Sequence, residues 1–356
     1  MAFFLGIFIP PCRVGDSLVI YLAFMEKNMK ATITGVGHYV PERQLTNADL
    51  EHILDTSDEW IRTRTGIESR RILDKDKGTS FMAVEAVKIA LSMSNTKPEE
   101  IDLILTATIT PDYPVPGLVA AVQDELGAKN AWGFDVVIGC SGFISALAAA
   151  AQFIESGRYK KVLVIGADKM SALANYEDRT TCVLFGDGAG AVLIEPIADE
   201  TKGIQDFIFH MDGSGRHSLG VMGGGSLHPT THETVDQGLH YVHQDGRSVF
   251  KRAVMGMSEV TIEMLEKHEI NPKSLALIIP HQANYRIIDA VADRLGIDST
   301  IVYNNISHYG NTTAATIPLA LSEAYQTGRI QKEDWILLVA FGSGFSWGSI
   351  LLKWTL

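Results

Sequence analysis

The sequence predicts an α/β fold made of two pseudo-symmetric halves, and three observations predict it. Strand-like and helix-like segments alternate along the chain. The strands are short, continuous apolar runs, as expected where helices cover both faces of a sheet. The same order of segments also occurs twice, over roughly 30–195 and 196–356.

The first 29 residues stand outside that plan. Pro10, Pro11, Arg13 and Asp16 break the apolar stretch before it reaches the roughly 18 residues of a membrane span. No basic segment precedes its first apolar run, as a signal peptide would require. Met25 and Met29 stand just ahead of a clean strand, KATITGVGHYV. Residues 1–29 therefore read as an N-terminal extension that follows a mis-assigned upstream start, with a real but dispensable, interfacial extension as the alternative.

The repeat is then followed element by element. A proline-started turn leads into an apolar strand in KPEEIDLILTATI and again in NPKSLALIIPHQA, and Pro98 and Pro272 lie 174 positions apart. A small-residue helix follows in each half. CSGFISALAAAAQFIESGRY starts at Cys140 and NTTAATIPLALSEAYQTGRI starts at Asn311, an offset of 171. Each ends in a glycine, Gly157 or Gly328, a helix stop signal. The strands KVLVIGAD and DWILLVAFG come next, then the glycine-rich turns FGDGAGAVLI and FGSGFSWGSILL. There the offset is only 156, so the first half carries about 18 extra residues around DKMSALANYEDRTTCVL. Cys182 reads as part of a strand in that segment.

Composition narrows the function. A chain of 356 residues with 46% hydrophobic and 20% charged residues suits a large globular core. The net charge of −12 argues against nucleic acid as a partner, so a phosphate-bearing substrate must meet a local basic patch. Three scattered cysteines, Cys12, Cys140 and Cys182, fit reduced thiols in the cytoplasm better than a disulfide framework or a metal site.

Read alone, Cys140 is either a small buried thiol or a nucleophile. Its place at a helix start favours thiolate through the helix dipole. His281 follows a buried strand in PHQANYR, where it could move a proton, donate to an oxyanion or cap a helix. Asn311, in HYGNTTAAT, can donate without titrating and is also a favoured N-cap. FGSGFSWG offers backbone N–H groups. Neither glycine-rich turn has a Walker or dinucleotide pattern, so no nucleotide cofactor is expected. The histidines between 210 and 243 share no metal spacing and read as surface or loop residues.

Together, TSDEWIRTRTGI, CSGF, FGDGAGA, HQANYR, GNTTAAT and FGSGFSWG resemble β-ketoacyl-acyl-carrier-protein synthase III, of the thiolase-fold condensing enzymes. The resemblance runs from about residue 30 to the end. It implies a layered αβαβα core and a triad of Cys140, His281 and Asn311, with no cofactor and no metal. It implies that Cys140 takes an acyl group from acyl-CoA. Malonyl-acyl carrier protein then loses carbon dioxide, with His281 and Asn311 donating to its thioester oxygen. An oxyanion hole would use the N–H groups of Cys140 and Ser343. Thr56, Trp60, Arg64, Arg179, Gly246, Phe250 and Asn284 would meet CoA and pantetheine. Gln282, Ala283, Asn284, Tyr285, Arg286, Lys251 and Arg252 would receive the carrier protein. A homodimer is implied as well.

Two departures stand out. Ile138-Gly139 precede the cysteine where the family has small residues, and Val115 stands where the family has a phenylalanine that reaches into its partner's acyl pocket. With Ile138, Val115 and Phe143 around the acyl group, a primer other than acetyl is expected. Two other readings stay open: an acyltransferase of secondary metabolism with a different acceptor, and a silent partner subunit.

Overall fold

The computed structural model describes residues 29–356, so the expectations for residues 1–28, Cys12 among them, lie outside it. Two sheets form the frame. The first contains β1 (Lys30–Tyr39), β2 (Leu103–Ala107), β3 (Trp132–Val136), β4 (Val162–Lys169) and β5 (Asp187–Ile197), in the order β1-β5-β4-β2-β3. Strand β5 runs antiparallel to β1 and β4, whereas β4, β2 and β3 are parallel.

The second sheet contains β6 (Gly203–Met211), β7 (Leu275–Pro280), β8 (Trp335–Gly342) and β9 (Ser346–Lys353), in the order β6-β9-β8-β7. Here β9 is antiparallel to β6 and β8, and β7 is parallel to β8. Val302 bridges β7 in parallel where the first sheet has β3. The two sheets thus follow one plan. Strand β5 runs to Ile197, two residues past the expected seam.

Helices supply three further layers. Helix α1 (Asp58–Thr65) belongs to a cap described below. Helices α2 (Thr79–Ser94) and α3 (Leu118–Leu126) cover the outer face of the first sheet. Helix α4 (Gly142–Glu155) lies between the sheets, and α5 (Gly246–Lys267) and α6 (Tyr285–Leu295) cover the second sheet. Helix α7 (Thr316–Gln326) joins α4 in the middle layer. The result is the layered αβαβα thiolase-like core. No helix among the described residues is long and apolar enough to cross a membrane.

The middle layer is where the sequence is most constrained. Phe143, Leu147 and Ile154 of α4 meet Ile317 and Leu321 of α7, with Leu105, Val164, Ile279 and Leu338 from both sheets. Each such side chain contributes roughly 1.5–3 kcal/mol by leaving water. Helix α7 reaches the first sheet by lying on glycine: a Cβ at Gly190 would stand 2.6 Å from Leu319 N. Gly186 and Gly190 of FGDGAG therefore serve close packing, which leaves no room for a side chain.

The expected pairing of Cys140 with Asn311 holds only in part. A 3₁₀ turn precedes each middle helix, Gly139–Ser141 and Thr313–Ala315. Their starts are 174 residues apart, whereas the helix C-caps Ser156 and Thr327 are 171 apart. Helix α7 is three residues shorter than α4, 11 against 14. Cys140 lies inside its turn, and Asn311 lies two residues before its own. The Asn311 side chain closes that gap by accepting from Thr313 N at 2.9 Å, a local bond that competes with helix formation. Past the C-caps, Gly157 and Gly328 take φ values of 72° and 71°, the left-handed conformation the stop signal requires.

Candidate active site

A cap closes the site. It is built from the short pair Gln44–Thr46 and Ser69–Arg71, helix α1, the 170–186 connection and the short pair Leu219–Val221 and Val242–Gln244. Its centre is Arg70, fully buried, which donates to Leu45 O, Asn47 Oδ1 and Val183 O. Asn47 in turn donates to Asp58 Oδ1 at 2.8 Å, at the start of α1. Burial pulls the Arg70 guanidinium down to about 10. Its sequence neighbours in ESRRIL carry no mark of that burial. The expected strand at Cys182 is not formed: Cys182 is buried in a turn, where Cys182 N and Leu184 N bond back to Asp178 O and Thr181 O.

Under the cap lies a cavity of about 590 Å³. Cys140, His281 and Asn311 all line it, as do Trp60, Arg64, Gly246, Phe250, Ala283, Asn284 and Arg286. Chain order alone did not bring these together; the two sheets did. His281 follows the end of β7, its N–H bonded to Val339 O at 2.8 Å, and its Nδ1 lies 2.7 Å from Thr316 Oγ1. The Asn311 backbone is held by Leu184 O and Gly186 N. The Asn311 Oδ1 is held by Thr313 N, so its amide N–H₂ is left to the cavity.

Cys140 is partly exposed to that cavity. Even so, burial, with a further push from the Asp168 charge, drives its thiol up to about 12. Burial outweighs the backbone N–H that lowers it, so the thiol is held above its ordinary value, against the sequence expectation. His281 is 2% exposed, and burial pulls it down to about 3. The resting pair is neutral on both sides.

Gly342 backs Cys140. A Cβ there would lie 2.8 Å from Ser141 N and 3.1 Å from Cys140 N. The next residue, Ser343, donates its hydroxyl to Ile138 O at 3.1 Å. The turn of FGSGFSWG is thus pressed against the backbone of Cys140. Asp168, fully buried, accepts from Thr108, Ile109 N, Thr110, Thr313 and Ala314 N, which ties β4 to the turn after Asn311.

At the mouth, Trp60 carries two cations. The Arg64 guanidinium lies 5.0 Å and that of Arg179 5.4 Å from its ring centre. Such planar groups stack on aromatic faces and bind phosphate. Arg247 and Arg286 also line the cavity, and the sequence reading had missed Arg247. It also missed Val183, Leu184, Phe185, Leu219, Val249 and Met257, whose apolar types match the core.

Other expected residues fall elsewhere. Gln282 is 1% exposed, and its amide donates to Pro280 O and Tyr303 O. It is thus committed to the interior and offers no surface to a carrier protein. Phe143 is fully buried among the residues between the sheets and does not line the cavity. Ile138 precedes the turn that holds Cys140 and faces a separate hollow with Phe207 and Phe209. Val115 is 87% exposed. Thr56 lies beside α1 with its hydroxyl buried and unpartnered. Lys251, Arg252 and Tyr285 are exposed, and Arg252 pairs with Asp212 at 3.0 Å. His210 lies on β6 rather than in a loop, bonded to Glu263 at 2.7 Å.

Fold and site together define a thiolase-fold condensing enzyme of the acyltransferase type. Residues 134–213 match the family described as 3-Oxoacyl-[acyl-carrier-protein (ACP)] synthase III, and residues 265–354 match its C terminal part. The chain is 51% identical to Beta-ketoacyl-[acyl-carrier-protein] synthase III of Chlorobium chlorochromatii over 92% of its length and 100% of that protein. The crystal structure of 3-oxoacyl-[acyl-carrier-protein] synthase III from Aquifex aeolicus shares 46% identity with a TM-score of 0.84, covering 91% of this chain and 100% of that one. The priming β-ketosynthase of the R1128 polyketide pathway shares 35% identity with a TM-score of 0.86, covering 92% and 97%. The chain belongs to the β-ketoacyl-acyl-carrier-protein synthase III family.

Proposed function

We propose that this enzyme condenses an acyl-CoA primer with malonyl-acyl carrier protein through an acyl-Cys140 intermediate, the step that begins fatty-acid synthesis. The observation that carries this reading is the meeting of Cys140, His281 and Asn311 in one cavity whose mouth bears Trp60 and four arginines. Cys140 attacks the thioester and CoA leaves. The N–H groups of Cys140 and Ser343 hold the tetrahedral oxyanion. Malonyl thioester then enters and loses carbon dioxide, with Asn311 and His281 facing its thioester oxygen. The resulting carbanion attacks the acyl group and releases Cys140.

Trp60, Arg64 and Arg179 receive the nucleotide end of CoA, and Gly246, Phe250 and Asn284 border the path inward. Ala283, Tyr285, Arg286, Lys251 and Arg252 face the carrier protein. The enzyme works in the cytoplasm as a homodimer. Strand β3 supports the dimer: among the described residues it is an open sheet edge with Trp132 49% and Phe134 37% exposed, and Val137 beyond it is 71% exposed. Val115, without the family's aromatic ring, favours a primer longer than or branched relative to acetyl. Likeness to a polyketide priming synthase keeps a second reading in view, the same acyl-enzyme with another acceptor.

One experiment tests these readings. The protein is mixed with a panel of acyl-CoA thioesters, then with malonyl-acyl carrier protein, and enzyme and products are weighed by mass spectrometry. A mass gain on the Cys140 peptide followed by a β-ketoacyl product is expected. No gain with any thioester would sink the enzyme reading in favour of a silent subunit. A clear acetyl-CoA optimum in kcat/KM would sink the primer reading.

A further inference from the structure

We propose that Thr316 is a positioning residue that fixes His281 as its Nδ1–H tautomer, so that the ring presents a bare Nε2 to Cys140. This inference rests on the acyl-transfer reading above and adds to it the direction of the proton.

The argument begins with a count of protons. A hydroxyl has one proton to give, and a backbone carbonyl can only accept. Thr316 Oγ1 lies 3.0 Å from Thr313 O and donates to it. The same oxygen lies 2.7 Å from His281 Nδ1. With its own proton spent on Thr313 O, the hydroxyl can only accept there, so Nδ1 carries the ring proton. His281 is buried and neutral, so its other nitrogen has a free lone pair.

The carbonyl that makes this choice is itself held. Thr313 has a φ of 50°, unusual for a β-branched residue. Its hydroxyl and the N–H of Ala314 are anchored on Asp168, and its N–H is anchored on Asn311 Oδ1. One turn therefore sets both catalytic groups with opposite polarity. Asn311 turns its N–H₂ to the cavity as a donor, and His281 turns a lone pair to it as an acceptor.

The consequence concerns each half-reaction. In acylation, the Cys140 proton moves to Nε2 as Sγ bonds to the thioester carbon. The carbon–sulfur bond to CoA breaks, and the leaving thiolate takes that proton from Nε2, which restores the Nδ1–H ring. In condensation, the ring can donate to the enolate oxygen only after Nε2 takes up a proton from solvent beside the malonyl carboxylate. When the new carbon–carbon bond expels Cys140 as thiolate, that proton passes to Sγ. The cycle thus consumes one proton overall, as the loss of carbon dioxide from a carboxylate requires.

The test uses full-length enzyme labelled with ¹⁵N-histidine, with the His281 signals assigned by their loss in His281→Gln. Shifts of a protonated Nδ1 and a bare Nε2 are expected at neutral pH; the opposite pattern overturns the proposal. Thr316→Val removes the hydroxyl at nearly constant volume. It should mix the tautomers and slow formation of acyl-Cys140 by about 10–100-fold, less than the roughly 10²–10⁴-fold of losing a general base outright, because part of the rings still present a bare Nε2. Thr316→Ser should restore both signature and rate. A Val variant that keeps the wild-type tautomer and rate overturns the proposal. If Thr316→Val does not fold, the wild-type shifts and the Ser variant still decide. Failure of the wild type to take acyl groups from any thioester would sink the acyl-transfer reading, a result separate from the tautomer shifts.

Discussion

The two halves join equivalent strands in opposite ways. Between β4 and β5 the chain spends residues 170–186 on a 3₁₀ turn and a series of tight turns. Between β8 and β9 it spends only Ser343–Phe345. The long connection supplies Thr180, Val183, Leu184 and Phe185 to the cavity and Arg179 to the face of Trp60. The short one presses Gly342 and Ser343 against the backbone of Cys140. A shared frame holds the cavity, and the differences between its halves line it: one brings apolar and cationic side chains, the other presses backbone against Cys140.

That division is open to test. Asn311→Ala removes the fixed amide donor of the second half and should lower kcat by about 10²–10³, the scale of losing one oxyanion-type donor. A normal kcat would break the comparison at its centre. Gly342→Ala thickens the tight turn where no Cβ fits and should cost about 10² in kcat by displacing the Cys140 N–H, with KM for acyl-CoA little changed. Arg179→Ala thins the long connection instead. Steady-state kinetics should show KM for acyl-CoA rising about two- to fivefold at unchanged kcat, as for an exposed cation–π contact. A kcat effect of Arg179→Ala equal to that of Gly342→Ala would erase the distinction.

The smallest effect is on stability, and it again contrasts the halves. His281 is held near 3 in the folded chain against an ordinary 6.5. The unfolded chain therefore binds more protons between those values, and stability is lost as pH falls through that window. Cys140 is held near 12 against an ordinary 9.0. The folded chain keeps that proton longer, so stability falls as pH rises above about 9. Urea unfolding across pH should give a plateau between the two. Cys140→Ala should flatten the alkaline limb and His281→Gln the acid limb.

Much of this was legible in the chain. Segment order and the glycine stops at 157 and 328 could be read because each depends on local chemistry or on the repeat, and the motifs around Cys140, His281 and Asn311 pointed to residues that line one cavity. The helix offset could not, because the Asn311–Thr313 bond that shortens α7 leaves no mark on hydrophobic spacing. Gln282 reads as a surface amide in HQANYR, yet two interior carbonyls hold it. Leu184, Phe185 and Met257 look like core because the lining of an apolar cavity asks for the same residue types as a core. The rise in the Cys140 pKa was hidden too, since desolvation depends on what the cap places overhead.

The arginines around the cavity carry one more consequence. The chain as a whole bears a net charge of −12, so a phosphate-bearing thioester is repelled by most of the surface. Arg64, Arg247 and Arg286 make the cavity rim a local exception. Encounter is then a matter of long-range guidance as much as of fit, and guidance of this kind weakens as dissolved ions shorten its reach to about 8 Å at physiological ionic strength. The speed of the first step should therefore track the ionic strength of the medium, while the chemistry sealed beneath the cap should not.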